Sequence, residues 1–342
     1  MGANSDHRSS GARGGFKPLV RYGQRRAAPK RTDACEPADR QLQVMDDEPA
    51  AMYRFRRQQT LASSALVEGV GYWSGETVRV ECRPAPPDSG IVFVRSDLPE
   101  RPRIPAVVNC RIDAARRTVL QNGSARVEMV EHLLAALAGL QIDNCEVWID
   151  RAELPGCDGS AKPFVDAFDA AGIVAQAAPR AARFVTKPLR LCCDGNWIEA
   201  LPSPDGRTTL HYVLDYGIGG PIGRQELEVA LKPRRFRQSL APSRTFLLAA
   251  EAEALRAQGL AGRTTTQDLL VFDQHGPIDN PLRFPDECVR HKLLDLVGDL
   301  ALAGADLIGK FRAYRSGHKL NAELVRQLTA EFEIAADVRH AA

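Results

Sequence analysis

Between residues 77 and 149 the chain changes its hydrophobic period twice, and that order of periods constrains the fold more than any other feature. Val78-Arg79-Val80-Glu81-Cys82 alternates as a half-buried strand does, and Ile91-Val92-Phe93-Val94 follows after a turn from Pro84 to Gly90. Residues 133–140 then read as an Ala/Leu helix stopped by Gly139 and Asp143-Asn144, and Cys145-Glu146-Val147-Trp148-Ile149 alternates again. Hairpin, helix and strand in that order predict an α+β fold. The second half repeats the theme, with strands expected near 184–191, 197–201, 208–214 and 225–229 and helices over 246–258, 290–302 and 322–335. We therefore expect two similar domains, each a β-sheet packed with α-helices, with the active site between them. Pro179 to Phe184 reads as the linker, which sets the domains at 58–180 and 181–342.

Within that frame, Ser160 is a plausible N-cap for a helix over 164–171. Leu248, Ala252 and Leu255 form one apolar stripe on the 246–258 helix, and Gly259 supplies its stop before a strand at 269–272. Residues 1–57 are rich in Arg, Gly, Ser, Pro and Lys and show neither period, so we expect a disordered basic tail. It has no apolar h-region, which argues against a secretory signal. It is either a solvated segment or a weak contact for an acidic partner or an anionic membrane surface.

Composition excludes other classes. The 45 basic and 43 acidic residues nearly cancel and leave no polyelectrolyte signature for nucleic acid. No apolar run approaches the roughly 20 residues of a transmembrane segment, so a soluble protein is expected. The eight cysteines lack C-x-x-C spacing and read as reduced thiols of a cytoplasmic protein.

The chemistry is carried by His and carboxylate positions. His291 and Asp295 stand four apart on an expected helix, which stacks them on one face where both can grip a divalent cation. Val130-Glu131-His132-Leu133 places a His beside a Glu at the start of another helix, and Ser316-Gly317-His318 offers a third His. Two His ligands, one carboxylate, a spare Glu and a spare His are the parts of a hydrolytic zinc site: three ligands, an open position for water, a base and an acid. Each pair taken alone reads equally as a surface ion pair or a helix cap. The H-E-x-x-H helix of metalloproteases is absent.

Taken together, these motifs resemble the UDP-3-O-acyl-N-acetylglucosamine deacetylases, zinc amidases of lipid A biosynthesis, over about residues 59–338. The similarity rests on Val130-Glu131-His132-Leu133 with Ile142-Asp143-Asn144, Glu153 through Phe164, Ser243-Arg244-Thr245-Phe246, Arg290 through Leu300, and Ser316-Gly317-His318 with Leu320-Asn321. It implies Zn2+ held by His132, His291 and Asp295. It further implies Glu131 as general base, His318 as the cationic group that protonates the leaving amine, Asp299 as its orienting carboxylate and Thr245 as the oxyanion hydroxyl. Phe246 would contact sugar or acyl chain, Lys292 a phosphate, and an insert at about 246–272 would form the acyl passage. The implied substrate is an acylated UDP-amino-sugar, deacetylated to the free amine and acetate.

The chain departs from the family pattern at Tyr72-Trp73, where Leu and His are usual, and at Arg263-Thr264-Thr265, where Gly-Gly-Ser is usual. Arg263 becomes a candidate substrate contact on that ground. A paralogous amidase acting on another N-acetylated, acylated amino-sugar is the alternative within enzymes, and a catalytically silent lipid or nucleotide-sugar binding protein the alternative outside them.

Overall fold

Strand pairing divides the chain into two halves with one topology. A computed structural model describes residues 55–340, with side chains through 332. The expectations for the basic tail and for Cys35 lie outside the described residues, apart from the tail's last few positions, where the strand Arg57–Leu61 already begins.

In the first half the hairpin Ala65–Val70 and Thr77–Pro84 is followed by Ile91–Arg95 and Arg103–Pro105, and Cys145–Ile149 enters last. That last strand takes the centre, antiparallel to Thr77–Pro84 and parallel to Ile91–Arg95. In the second half Leu189–Cys193, Asn196–Leu201, Thr209–Asp215 and Arg224–Ala230 come first. Lys310–Tyr314 enters last and takes the same central place, with the same mixture of antiparallel and parallel neighbours. Alternation explains the strands: Val78, Val80, Cys82, Cys145, Val147 and Ile149 all face the core on one side of the first sheet. Phe311 and Ala313 do the same in the second.

The longer helices are α1 (Glu131–Gly139), α2 (Lys162–Ala171), α3 (Ala249–Ala257), α4 (Glu287–Leu300) and α5 (His318–His340). α1 and α4 hold equivalent places, each preceding the central strand of its own half, and they pack against one another. The approach is so close that a Cβ on Gly298 of α4 would stand 2.1 Å from the Glu131 carbonyl oxygen, a contact that only glycine permits. Every α1 residue except Ala138 is buried. α2 and α5 follow the central strands and cover strands of their own sheets.

Three expectations need correction. Pro179 to Phe184, read as the linker, is strand at both ends: Ile173–Pro179 pairs with Arg57–Leu61, and Ala182–Phe184 runs parallel to Asp306–Ile308. Residues 246–258 are not one helix, because Phe246–Leu248 pairs in parallel with Leu270–Asp273 and the helix starts only at Ala249. There the Leu248 N–H donates to the Glu251 carboxylate, satisfying one of the orphan donors of the first turn. Helices α1, α4 and α5 also begin two to four residues earlier than their apolar periods suggest, since the extra first turns carry polar residues that the site uses.

Candidate metal centre and active site

The packing of α1 on α4 brings together residues 159 or more positions apart in sequence. His132 is in the first turn of α1, and His291 and Asp295 lie one turn apart on the buried face of α4. Asp295 Oδ1 stands 3.7 Å from His132 Nε2 and 3.5 Å from His291 Nε2. Three ligands each about 2 Å from one ion lie about 3.3 Å apart in a tetrahedral arrangement, so the cluster has the dimensions of a single site. One ligand atom from each residue lies within 4.8 Å of the others, and this His-His-Asp cluster could hold a metal ion.

The surroundings keep the donors in ligating form. Burial, and then the neighbouring His291, lowers the His132 imidazole to about 3, and burial lowers His291 as well, so both rings are neutral. His291 Nδ1–H donates to the Ser243 carbonyl at 3.2 Å, which leaves Nε2 with its lone pair toward the cluster. Burial pushes the Asp295 carboxyl up, but the Lys292 ammonium, with the cationic His318 beyond it, outweighs burial and holds the group below the usual carboxylate range. Lys292 Nζ donates to Asp295 Oδ2 at 2.7 Å. The residue assigned to a phosphate on resemblance thus orients a candidate metal ligand, while also lining the cavity described below.

Glu131, Asp299 and His318 form a second group. Burial raises the Glu131 carboxyl to about 7. Burial pulls His318 down, yet the Asp299 carboxylate 2.9 Å from Nδ1 more than offsets it and leaves the imidazole raised to about 9. Asp299 is fully buried on α4, one turn beyond Asp295, and also accepts from Asn321 Nδ2 at 2.8 Å. Thr118, which sequence reasoning missed, joins the group. Its N–H donates to Glu131 Oε2 at 3.0 Å, and its hydroxyl donates to Asp299 Oδ1 at 2.7 Å. Nothing in Arg116-Arg117-Thr118-Val119 marks that residue, because its role depends on a contact across 181 positions.

Thr245 sits at the cluster, its Oγ1 3.1 Å from His291 Nε2 and 3.5 Å from His132 Nε2. It is placed by its N–H to the Gly159 carbonyl at 2.7 Å and by the buried ion pair of its neighbour Arg244 with Glu287 in the first turn of α4. Phe246 stands with its ring 6.1 Å from that of His291.

Glu131, His132, Thr245, Phe246, His291, Lys292, Asp295 and His318 line one cavity of about 1570 Å³. Ile112, Met129, Leu214, Phe246 and Leu247 supply apolar wall, and Arg315, Lys319 and Arg326 supply cations. That volume exceeds the 300–1,000 Å³ typical of drug-sized ligands, which suits a long amphiphilic substrate.

Of the positions that depart from the family pattern, neither Arg263 nor Trp73 is part of that lining. The Arg263 guanidinium donates to the Gly75 carbonyl at 2.9 Å, on the glycine turn. The substrate contact assigned to Arg263 is therefore not seen at the cavity: its side chain braces Gly69 to Gly75 from outside. Glu153 holds the same turn from within by accepting the Trp73 and Ser74 N–H groups, both at 2.8 Å. Trp73 Nε1 approaches Met129, a lining residue, at 3.3 Å. Tyr72 is buried with its ring where a Cβ on Gly156 would fall, 2.0 Å away, and its hydroxyl donates to the Asp268 carbonyl.

A buried His-His-Asp cluster that could hold a metal ion, flanked by a carboxylate and a carboxylate-held imidazole, is the layout of a hydrolase. A profile of the family described as UDP-3-O-acyl N-acetylglycosamine deacetylase matches residues 58–330, and the chain belongs to that family. Relatives named UDP-3-O-acyl-N-acetylglucosamine deacetylase include one from Anaeromyxobacter sp. (strain Fw109-5), 41% identical over 80% of this chain and 89% of its own. Another, from Thermosynechococcus vestitus, is 40% identical over 80% and 94%, and one from Myxococcus xanthus is 38% identical over 80% and 87%.

Proposed function

We propose that this chain is a zinc-dependent deacetylase that removes the N-acetyl group from UDP-3-O-(3-hydroxyacyl)-N-acetylglucosamine in lipid A biosynthesis. The observation that carries the reading is the convergence of His132, His291 and Asp295 beside Glu131 and the His318–Asp299 pair, in a member of the deacetylase family. Neutral imidazoles and a carboxylate are the donor set zinc takes at catalytic sites. Zinc held there would polarise the acetamide carbonyl and acidify a water beside it.

The chain's own residues supply the rest. Glu131, held at Oε2 by the Thr118 N–H, takes a proton from the attacking water. The Thr245 hydroxyl, which can rotate away from Gly159, hydrogen-bonds the carbonyl oxygen as negative charge gathers on it. His318, cationic at neutral pH, gives its proton to the departing amine as the C–N bond breaks, and acetate and a free amino-sugar leave. The apolar wall suits the acyl chain and the cationic rim the diphosphate.

Among the described residues no helix is long and apolar enough to cross a membrane. We place the activity in the cytoplasm, a reading that the free thiols of Cys82, Cys110, Cys145, Cys157, Cys193 and Cys288 support.

The test is deacetylation of UDP-3-O-(3-hydroxyacyl)-N-acetylglucosamine by purified protein with its metal content measured. About one zinc per chain and turnover are expected, and chelation should abolish activity and lower Tm until zinc is restored. Asp295→Ala should lose the zinc-dependent rise in Tm. Turnover of another N-acetylated amino-sugar alone, by zinc-loaded protein, would reassign the substrate.

A further inference from the structure

We infer that Thr118 is a positioning residue that fixes the general base and the acid's carboxylate in one frame. The inference rests on the reading of Glu131 and His318–Asp299 as base and acid. Three bonds carry it. The Thr118 N–H donates to Glu131 Oε2, the Thr118 hydroxyl to Asp299 Oδ1, and the Val130 N–H to the Thr118 carbonyl at 3.4 Å. Thr118 is wholly buried, so no water competes for these partners.

One residue thus touches α1 at its entry, the base in its first turn, and a carboxylate on α4. Asp299 Oδ2 already accepts from His318 and Asn321, and the Thr118 hydroxyl occupies the other oxygen. Without that bond the carboxylate can turn about its Cβ–Cγ axis, and the His318 ring it holds turns with it. Thr118 itself lies outside the cavity lining and acts only through these two groups.

Thr118→Val keeps the shape and the backbone bonds and removes only the hydroxyl. It should lower kcat about 10-fold, the size of one buried hydrogen bond to a charged group, while KM stays within about 2-fold and zinc content is unchanged. Thr118→Ser should return kcat to within about 3-fold of the parent. In an Asp299→Ala background, Thr118→Val should add less than about 2-fold, because the partner of its hydroxyl is already gone. Should Thr118→Val fail to fold, Thr118→Ala against Thr118→Ser carries the same comparison. Parental kcat in Thr118→Val, equal losses in the Val and Ser variants, or a full further loss in the Asp299→Ala background would each overturn the inference. An inactive parent would instead overturn the proposed function.

Discussion

At the scale of single residues, His318 carries the clearest pH dependence. Its imidazole is raised from an ordinary 6.5 to about 9, against the pull of burial, by the Asp299 carboxylate. A raised histidine favours folding most below its unfolded pKa, and this contribution is lost as pH rises through about 9. In the proposed mechanism the same proton is given to the leaving amine, so kcat should fall on the alkaline side through the same region. Asp299→Asn removes the charge but keeps hydrogen-bonding atoms, and should move that limb to lower pH; an unmoved limb would separate Asp299 from the proton transfer. Glu131→Gln should lower kcat about 10²–10⁴-fold with zinc retained, a split between turnover and metal content that a ligand would not show. His291, Asp295, Glu131 and His132 were legible in the sequence because His and a carboxylate at i, i+4 spacing, with a Glu–His pair beside an apolar helix, have a chemical meaning before any fold is known; Asp299 entered only through the family resemblance. Thr118 and the Ser243 carbonyl were not, since a hydroxyl before a strand and a backbone oxygen have no local signature. Arg263 was read from a departure in pattern, and its guanidinium lies on a backbone carbonyl of the glycine turn instead of at the cavity.

Among the elements, the pairing of α1 with α4 sets the distance from His132 to Asp295, and Gly298 sets that pairing. Gly298→Ala would drive a methyl into the Glu131 backbone, with neighbouring contacts at 2.9 and 3.1 Å also closed off. Overpacking of this kind costs about 1–3 kcal/mol, so the variant should melt earlier. Because relief requires α1 to move from α4, it should also bind zinc more weakly, which a metal titration would reveal; a lower Tm with parental zinc affinity would show that the strain relaxes elsewhere. The alternating strands Thr77–Pro84 and Cys145–Ile149 were visible in the sequence because each presents one face to the core. Phe246–Leu248 was not: its apolar residues fit a helical stripe equally well, and only the partner strand Leu270–Asp273 decides for strand.

Across the whole molecule, Arg56 ties the halves together. Its guanidinium makes two bonds of 2.7 Å to Asp143, after α1, and bonds of 2.7 and 2.8 Å to Asp306, before the second central strand. Arg180 reaches both carboxylates as well. Arg56→Gln removes one cation from the two aspartates and leaves Arg180 in reach of both. The loss should be about 2 kcal/mol, below the 3–5 kcal/mol of a fully buried pair because Arg180 remains, and should appear as a lower urea midpoint with little change in kcat. The shared strand order could not be read from periodicity, because the central place of the last strand in each half depends on pairings across tens of residues. The near-complete burial of α1 has a consequence during synthesis. Its covering partner α4 leaves the ribosome some 150 residues later, at about 5–20 residues per second, so the first half exists for roughly 8–30 seconds with an apolar helix and one candidate metal ligand, His132, uncovered. A fragment ending near residue 180 should therefore bind chaperones or aggregate, and the nascent chain should resist proteolysis only after the α4 segment has emerged.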